Sequence, residues 1–381
     1  MEKKEKHRED SASKLKKKRK NHLDAEEVDN DQERNSIDLC QPGLGKALQI
    51  AKRKLIVHLD LNNTILVSDA VTNQGPRSAL NSYLSTVTWG KMSETGEWQW
   101  LTDSLSLLPP CQAAVNYYSQ FGPETDFTNT APGRHFKDVY TDHLRLLEWS
   151  GEADEVFSTT GEDGKRYHWI LPSFFHLLES LHLEGRHFTV VLRTFGTDLP
   201  RVLHSIRCAL EGQHPHFPHL RLVSLPVDQI PGRIRCNKRE VILSRGCEQV
   251  STKPDARNIY SYFSSLEGIG GFQDHFDWWA RNRFTSKGGK PFWIDPDDIS
   301  VQHIFIDDNI RADGDYNIVF PQVFLKRADG HIRTALASEL YNICLVQTNL
   351  LRAIAEKNYF LECVKDCEEK YDRYIASSET E

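Results

Sequence analysis

The stretch KLIVHLDLNNTIL, residues 54–66, runs from a nearly continuous apolar segment into an acid, two asparagines and a threonine. Its apolar first half predicts a strand that is buried on both faces, as the central strands of parallel sheets are. Asp60 follows this strand directly, and Asn62, Asn63 and Thr64 come next. A loop that only turned the chain would be expected to carry Gly or Pro. The polar residues therefore predict a binding site at the end of the strand.

Two later segments have the same form, an apolar run that ends in polar side chains. HFTVVLRTFG, residues 187–196, places Thr194 beyond its apolar run, and QHIFIDDNIRAD, residues 302–313, places Asp307 and Asp308 beyond another. Adjacent carboxylates beside a buried strand need a cation or another partner. The carboxyl ends of parallel strands meet at one edge of an open α/β sheet, where ligands bind. The sequence therefore predicts an α/β fold with a Rossmann-like parallel sheet and a site at that edge.

Composition agrees with a globular protein. The 381 residues, 39% of them hydrophobic, suffice for one large domain with insertions or for two domains. No apolar run approaches the roughly 20 residues that span a bilayer, so no membrane partner is expected. The eight cysteines form no CxxC pair, which favours free thiols in a reducing compartment, nuclear or cytoplasmic.

The first 45 residues differ from the rest of the chain. The basic run KLKKKRK begins at Lys14, ends at Lys20 and is followed by an acidic stretch, so residues 1–45 are predicted to be a disordered charged tail. The run resembles a monopartite nuclear localisation signal, which would bind an import receptor, although solvated basic tails are also common. No basic stripe interleaved with aromatic residues is present, so nucleic acid is not favoured as a partner.

The pattern of helices and strands suggests one main domain, residues 46–330. We expect a largely separate cap inserted at about 67–167, a smaller insertion at about 213–285, and C-terminal helices over 331–381. A helix is predicted from Pro172 to a stop at Gly185, and another is predicted to be capped by Thr197 or Asp198. Further strands are predicted at 220–225 and around 317–325.

The order of these signals resembles the haloacid dehalogenase-like (HAD) superfamily, whose members carry an Asp nucleophile on the first strand. DLNNT stands where the family commonly has DxDGT, and Thr194 stands for the Ser or Thr of its second motif. Lys287 or Lys290 corresponds to the family's Lys, and FIDDNIRAD corresponds to its acidic fourth motif. The resemblance covers about residues 54–325.

The resemblance implies a role for each residue. Asp60 would be the nucleophile, and Thr194 with the Phe195 backbone N–H would bind a phosphoryl oxygen. Lys290, in GGKPF, fits the family's Lys-Pro version better than Lys287 does. The implied cofactor is Mg²⁺, and its candidate ligands are Asp60, the backbone carbonyl of Asn62, and Asp307 or Asp308, of which Asp308 aligns better. Further candidate site residues are Asn63, Thr64 and Asp313.

Two departures from the family pattern affect the functional prediction. Asn63 replaces a Gly whose backbone conformation most side chains disfavour, and Asn tolerates that conformation best. Asn62 replaces the Asp with which family phosphatases protonate the leaving group and activate water, and an amide can do neither. The sequence therefore favours a phosphohydrolase or phosphotransferase of low or specialised activity, acting on a phosphorylated substrate through an aspartyl-phosphate. The alternative is a catalytically inactive phosphate- or partner-binding module.

Overall fold

The structure of the protein, a computed structural model, describes residues 52–69, 73–312, 316–325 and 331–378. The predictions for the charged tail and for Asp313 lie outside the described residues. None of the helices in the described ranges combines the length and the apolar character that crossing a membrane requires.

The described residues form 16 strands and ten α-helices. The strands are β1 (Lys54–Leu59), β2 (Trp89–Met92), β3 (Trp98–Trp100), β4 (Ala114–Asn116), β5 (Ser158–Thr160), β6 (Arg166–His168), β7 (Phe188–Thr194), β8 (Gly232–Cys236), β9 (Val241–Arg245), β10 (Glu248–Ser251), β11 (Gly268–Gln273), β12 (Lys290–Ile294), β13 (Val301–Asp307), β14 (Val319–Phe324), β15 (Ile332–Thr334) and β16 (Leu345–Gln347). The helices are α1 (Pro76–Thr86), α2 (Tyr117–Phe121), α3 (Lys137–Leu147), α4 (Pro172–Leu183), α5 (Leu199–Leu210), α6 (Arg257–Ser265), α7 (Phe276–Arg281), α8 (Ala337–Leu340), α9 (Leu350–Ala355) and α10 (Tyr359–Ser378).

A mostly parallel sheet of eight strands organises the fold. Its strand order is β10-β9-β8-β11-β7-β1-β13-β16. Six neighbouring strands of this sheet pair in parallel, in the order β8, β11, β7, β1, β13 and β16. At one end of the sheet, β9 pairs antiparallel with both β8 and β10. β1 is central, because Leu59 lies opposite Leu192 of β7 on one side and Ile306 of β13 on the other. The mixed α/β class predicted from the sequence is therefore confirmed.

Both faces of the central sheet are covered, which explains the unbroken apolar sequence of β1. Leu55, Val57 and Leu59 pack in one apolar cluster with side chains of α4 and α5. Ile56 points to the other face and packs in a second cluster with side chains of α6. Burial on both faces leaves no position along this strand where a polar side chain is tolerated without a partner.

The helix predicted from Pro172 is also confirmed. Proline occupies its first turn, where the missing N–H costs nothing. Gly185, two residues beyond the end of α4, has φ +64°, a conformation that glycine adopts without strain. The chain then enters β7 and reaches the carboxyl edge of the sheet beside β1.

The expected insertion at 213–285 must be corrected, because it contains β11, which lies between β8 and β7 in the central sheet. The sequence of β11, GIGGFQ, is glycine-rich because its neighbours approach closely. A Cβ on Gly271 would lie 2.4 Å from Leu199 Cδ2, and one on Gly268, where φ is +74°, would lie 2.1 Å from the Pro226 carbonyl oxygen. Packing therefore requires these glycines, which in the sequence suggest a loop.

The predicted strand at 220–225 is not formed. A short 3₁₀ helix, Pro218–Leu222, covers its first half. Leu220 is fully buried whereas Leu222 is 61% exposed, so the apolar run does not present a continuous buried face.

The C-terminal part is not entirely helical. β16 adds an edge strand to the central sheet beside β13, and β15 pairs with β14. β14 confirms the strand predicted around 317–325, but it belongs to a separate three-stranded sheet of order β12-β14-β15. Residues 331–378 therefore contribute to both sheets as well as supplying α8, α9 and α10.

The segment expected as a separate cap, 67–167, is packed against the main core. It contains a three-stranded antiparallel sheet, β3-β2-β4, and a β5-β6 hairpin together with α1, α2 and α3. Leu84 of α1 and Leu144 of α3 belong to the same apolar cluster as Leu55 and Val57 of β1. The expectation of a largely separate unit is therefore wrong, since the insertion shares the hydrophobic core of the central sheet.

Candidate functional site

Three carboxylates meet at the carboxyl edge of the central sheet. Asp60 follows β1, Asp307 ends β13 and Asp308 comes next, and one oxygen from each lies within 4.8 Å of the others. Asp60 and Asp307 are buried and Asp308 is half-buried. The Asp60 backbone N–H donates to the Ile306 carbonyl at 3.0 Å, which aligns the two strand ends. The parallel pairing of β1 and β13 therefore brings together residues that are far apart in the chain.

Lys290 lies among these carboxylates. Its Nζ donates to Asp60 Oδ1 at 2.5 Å, to Asp307 Oδ2 at 2.8 Å and to the Arg193 carbonyl at 3.1 Å. An ammonium group has three N–H donors, so all are used, and the side chain is completely buried. Lys287 is exposed on the turn before β12. Of the two lysines proposed from the sequence, Lys290 is the one that reaches the site.

Three buried or half-buried carboxyl groups share one ammonium group, and this imbalance shifts the pKa values in the cluster. Burial raises the pKa of Asp60 to about 7, against the opposing effect of Lys290 and with a further increase from Asp307. Burial, Asp307 and Asp60 raise the pKa of Asp308 well above its ordinary value. Burial lowers the pKa of Lys290, but Asp307 and Asp60 together raise it above its ordinary value. Without a further cation, ionising all three acids is therefore costly.

The loop after β1 has the conformation expected from its sequence. Asn63 has φ +54°, the left-handed conformation that asparagine tolerates better than most residues with a side chain. Asn62 Nδ2 donates to the Ser68 carbonyl at 3.0 Å, which holds the loop. Thr64 is buried, and its Oγ1 lies 3.3 Å from the Oγ1 of Thr348, the residue that follows β16. Asn62 and Thr64 thus have structural contacts within the loop and with its neighbour.

Thr194 ends β7 beside β1 and is 1% exposed. Its Oγ1 accepts the Gly196 backbone N–H at 2.9 Å. A Cβ on Gly196 would lie 3.4 Å from Thr194 Oγ1 and 3.6 Å from Asn62 Oδ1. The loops after β1 and β7 therefore bring the two polar side chains to the same place.

Phe195 is part of an aromatic wall beside Lys290. Its ring stacks on Trp279 with centroids 5.1 Å apart, and Lys290 Nζ lies 5.2 Å from the Phe195 centroid. The role expected for Phe195 from the sequence concerned only its backbone N–H. Its side chain adds an apolar wall on one side of the ammonium.

The sequence-based prediction missed a buried ion pair next to the site. Arg193 Nε and Nη2 lie 2.9 and 2.7 Å from the two Asp274 carboxylate oxygens, and both side chains are almost fully buried. Arg193 Nη2 also donates to the Pro291 carbonyl at 3.1 Å. Arg193 thus holds β12 through its side chain and accepts from Lys290 through its carbonyl. An arginine within the apolar run VVLRT was the available signal, since a charge there needs a buried partner.

A cavity of about 250 Å³ opens beside this loop, at the carboxyl ends of β7 and β11. It is lined by Gly196, Thr197, Leu199, Pro200, Pro231, Gly232, Arg233 and Gln273. Gln273 Nε2 donates to the Gly196 carbonyl at 3.1 Å, which fixes the wall between the cavity and Thr194. The space is large enough for a small organic group.

No protein-family model matches this chain, and no curated protein or solved structure matches it at the significance required. Relatives therefore supply no evidence on the activity. What can be inferred about function comes from the residues and geometry of this chain.

Proposed function

We propose that the protein is a HAD-like, Mg²⁺-dependent phosphohydrolase or phosphotransferase that acts through an aspartyl-phosphate on Asp60. The observation that carries the proposal is the contact of Lys290 with Asp60, 230 positions away in the chain, in a cluster that also holds Asp307 and Asp308. In the sequence, Asp60, Lys290, Asp307 and Asp308 are the residues that stand at the positions of the HAD motifs. Their convergence at the carboxyl edge of the sheet supports the proposal.

The arrangement suits phosphoryl transfer. Such a reaction needs a nucleophile, positive charge beside the transferred group, and donors aimed at its oxygens. Asp60 supplies a carboxylate held by the Lys290 ammonium. Thr194 Oγ1 accepts from the Gly196 N–H, so its own proton is left for a phosphoryl oxygen. The Phe195 N–H is the second proposed donor.

The donor set fits a magnesium ion. Mg²⁺ prefers hard oxygen ligands, and three ionised carboxylates with one ammonium leave an excess of two negative charges in the cluster. Both Asp307 oxygens have donors, Lys290 Nζ at 2.8 Å and the Asn309 N–H at 2.9 Å. Asp60, Asp308 and the Asn62 backbone carbonyl would therefore hold the ion, with Asp307 orienting Lys290. When bound, Mg²⁺ would supply positive charge that stabilises the phosphoryl oxygens.

A second candidate function is a phosphate- or partner-binding module without catalysis. Asn62 is the observation that favours it, because the amide cannot protonate a leaving group or activate water. The carboxylates and Lys290 would then bind Mg²⁺ and a phosphate group without transferring it. A phosphorylated ligand is common to both candidates, and they differ in whether a bond to Asp60 forms.

Aspartyl-phosphate formation tests the first proposal directly. The purified protein is incubated with Mg²⁺ and a panel of phosphate esters that includes p-nitrophenyl phosphate, and free phosphate and intact mass are measured. We expect slow turnover and a phosphoryl adduct that is absent from Asp60→Asn. Asp277→Asn, an exposed change on α7, is the matched control and should behave as the parent. No turnover and no adduct across the panel would leave the binding-module function.

Nuclear or cytoplasmic localisation is a further proposal, which rests on the basic run from Lys14 to Lys20. A fluorescent fusion of the full chain should lose nuclear enrichment when the cations of this run are replaced by Ala. Unchanged enrichment would exclude this run as the binding segment for an import receptor.

A further inference from the structure

Asp198 has a carboxylate for which the fold provides no obvious structural role. It occupies the N-cap position of α5, but its side chain makes no capping hydrogen bond. Asn116 and Asn349, at the N-caps of α2 and α9, do accept a backbone N–H in this way. Asp198 Oδ2 is buried and has no hydrogen-bond partner among the described residues. The sequence-based expectation of a cap at this position is therefore not met by the side chain.

The position of this carboxylate is informative. A Cβ on Gly196 would lie 3.7 Å from Asp198 Oδ2, 3.6 Å from Asn62 Oδ1 and 3.4 Å from Thr194 Oγ1. Three side-chain oxygens from two loops thus surround one backbone position that carries no side chain. Asn62 stands where the acid/base residue of the resembled family would be, so the Asp198 carboxyl reaches the neighbourhood in which that chemistry is needed.

A simple ion pair does not explain Asp198. Arg201, one turn along α5, stacks over the Trp169 ring at 3.9 Å and donates to the Ser158 carbonyl at 3.3 Å. Within the described part of the chain, no cationic nitrogen lies within ion-pairing distance of Asp198. A carboxylate oxygen that is buried without a hydrogen-bond partner, as Asp198 Oδ2 is, is costly unless it has another use.

We propose that Asp198 is the general acid and base of the phosphoryl-transfer reaction, replacing the carboxyl group that is missing at position 62. This inference rests on the proposed function, because it assumes that Asp60 is the nucleophile. It changes the expectation for Asn62, which becomes a residue that holds its loop through Ser68. The acid/base group would have moved from the loop after β1 to the loop after β7.

Each proton has a defined donor and acceptor in this scheme. A carboxylate oxygen of Asp60 attacks phosphorus, the bond from phosphorus to the leaving-group oxygen breaks, and that oxygen takes the proton of the Asp198 carboxyl. In the second step the oxygen of a water molecule attacks phosphorus, and the Asp198 carboxylate takes a proton from that water. The bond from phosphorus to Asp60 breaks, which releases inorganic phosphate and regenerates the Asp60 carboxylate and the protonated Asp198.

A matched pair of substrates separates acid catalysis from binding. Phenyl phosphate and p-nitrophenyl phosphate have similar shapes, but phenolate is the poorer leaving group and depends more on protonation. Loss of a general acid or base typically costs about 10² to 10⁴-fold in rate. We expect Asp198→Asn to reduce kcat/KM, which reports the first step, for phenyl phosphate at least about 10²-fold and to reduce kcat/KM for p-nitrophenyl phosphate less. Because the second step also lacks its base, the aspartyl-phosphate should accumulate in the variant.

Restoring a carboxyl at the other position provides the second test. Asn62→Asp in the Asp198→Asn background should recover at least about tenfold in phenyl phosphate turnover, whereas Asn62→Asp alone should gain little. The melting midpoint of Asp198→Asn should equal or exceed that of the parent, because the side chain caps nothing. Asp277→Asn is again the control that should change neither rate nor midpoint.

The outcomes distinguish the two proposals. If the parent turns over substrate, and Asp60→Asn abolishes this turnover while Asp198→Asn leaves it unchanged, the role of Asp198 is overturned. The proposed function then stands. Equal losses of kcat/KM on the two substrates, or a double variant no more active than Asp198→Asn, would also overturn that role. A parent that hydrolyses neither substrate and forms no adduct would overturn both. If Asp198→Asn does not fold, Asp198→Ser replaces it in every comparison.

Discussion

The ammonium of Lys290 lies 2.5 Å from the Oδ1 atom of Asp60. Lys290 begins β12 in the three-stranded sheet, whereas Asp60 follows the central strand β1 of the eight-stranded sheet. The contact therefore joins two sheets at the proposed site. Both side chains are at least nine-tenths buried, so neither charge can be satisfied by bulk water. This pair links the stability of the protein to its chemistry.

Replacing Lys290 should be strongly destabilising. Lys290→Met keeps the length of the side chain but leaves Asp60 and Asp307 without their common cation. Removing one partner of a buried ion pair costs about 3 to 5 kcal/mol. We expect a loss of that size in the free energy of unfolding, measured by urea denaturation in EDTA. Lys287→Met, at an exposed position three residues earlier, should stay within about 0.5 kcal/mol of the parent. Similar small losses in both variants would contradict the central role of Lys290.

Magnesium should stabilise the folded protein through the acidic cluster. A ligand that binds only the folded state at 100 times its Kd adds about 2.7 kcal/mol. We expect the melting midpoint of the parent to rise with millimolar Mg²⁺, and Asp308→Asn to remove most of that rise. In EDTA, Asp308→Asn should be as stable as the parent or more stable, since it removes repulsion with Asp60 and Asp307. A parent midpoint that does not respond to Mg²⁺ would argue against a metal site.

The central sheet and the acidic cluster could be predicted from the sequence because their signals are local. β1, β7 and β13 are each nearly continuous apolar runs, and a polar residue follows or ends each one. Asp60, Thr194 and Asp307 were identified for that reason. The choice of Lys290 over Lys287 came from the following proline in the sequence, and the burial of Lys290 supports it.

The missed features depend on contacts between distant segments. β11 was assigned to the smaller insertion, because its glycines reflect the close approach of Leu199 and Pro226, which its own sequence does not report. Asp198 looked like a helix cap because Asp is common at N-caps. Its side chain is instead placed by the loop geometry around Gly196. Local patterns predict which residues form strands, whereas the partners of buried polar groups follow from the tertiary structure.

The left-handed conformation of Asn63 gives a prediction about the loop itself. Asn63→Ala should destabilise the protein by about 1 to 2 kcal/mol, because φ +54° is unfavourable for a residue with a Cβ and no compensating polar group. Asn63→Gly should be close to neutral, since glycine adopts this conformation freely and the unpartnered buried Asn63 Oδ1 is removed. Urea denaturation of both variants measures the difference. An alanine variant as stable as the glycine variant would show that the backbone conformation is not what constrains this position.

The raised pKa of Asp60 predicts that the metal-free protein loses stability as pH rises. The pKa of Asp60 has an ordinary value of 3.8 and rises to about 7 in the folded state. At pH values between these two, the folded protein keeps this proton and the unfolded chain has lost it. Between these values the folded state binds more protons, so the free energy of unfolding falls with increasing pH, by up to about 1.4 kcal/mol per pH unit.

Comparison with Asp60→Asn isolates this effect, because the variant has no proton to lose at this position. From pH 4.5 to 6.5 in EDTA, the parent should lose roughly 2 to 3 kcal/mol relative to the variant, and the two curves should run parallel above pH 8. Mg²⁺ competes with the proton for the same carboxylate, so millimolar Mg²⁺ should flatten the parent curve and leave the variant curve nearly unchanged. Curves that run parallel from pH 4.5 upwards would show that Asp60 titrates normally, and the burial of its charge beside Lys290 would then have no measurable energetic consequence.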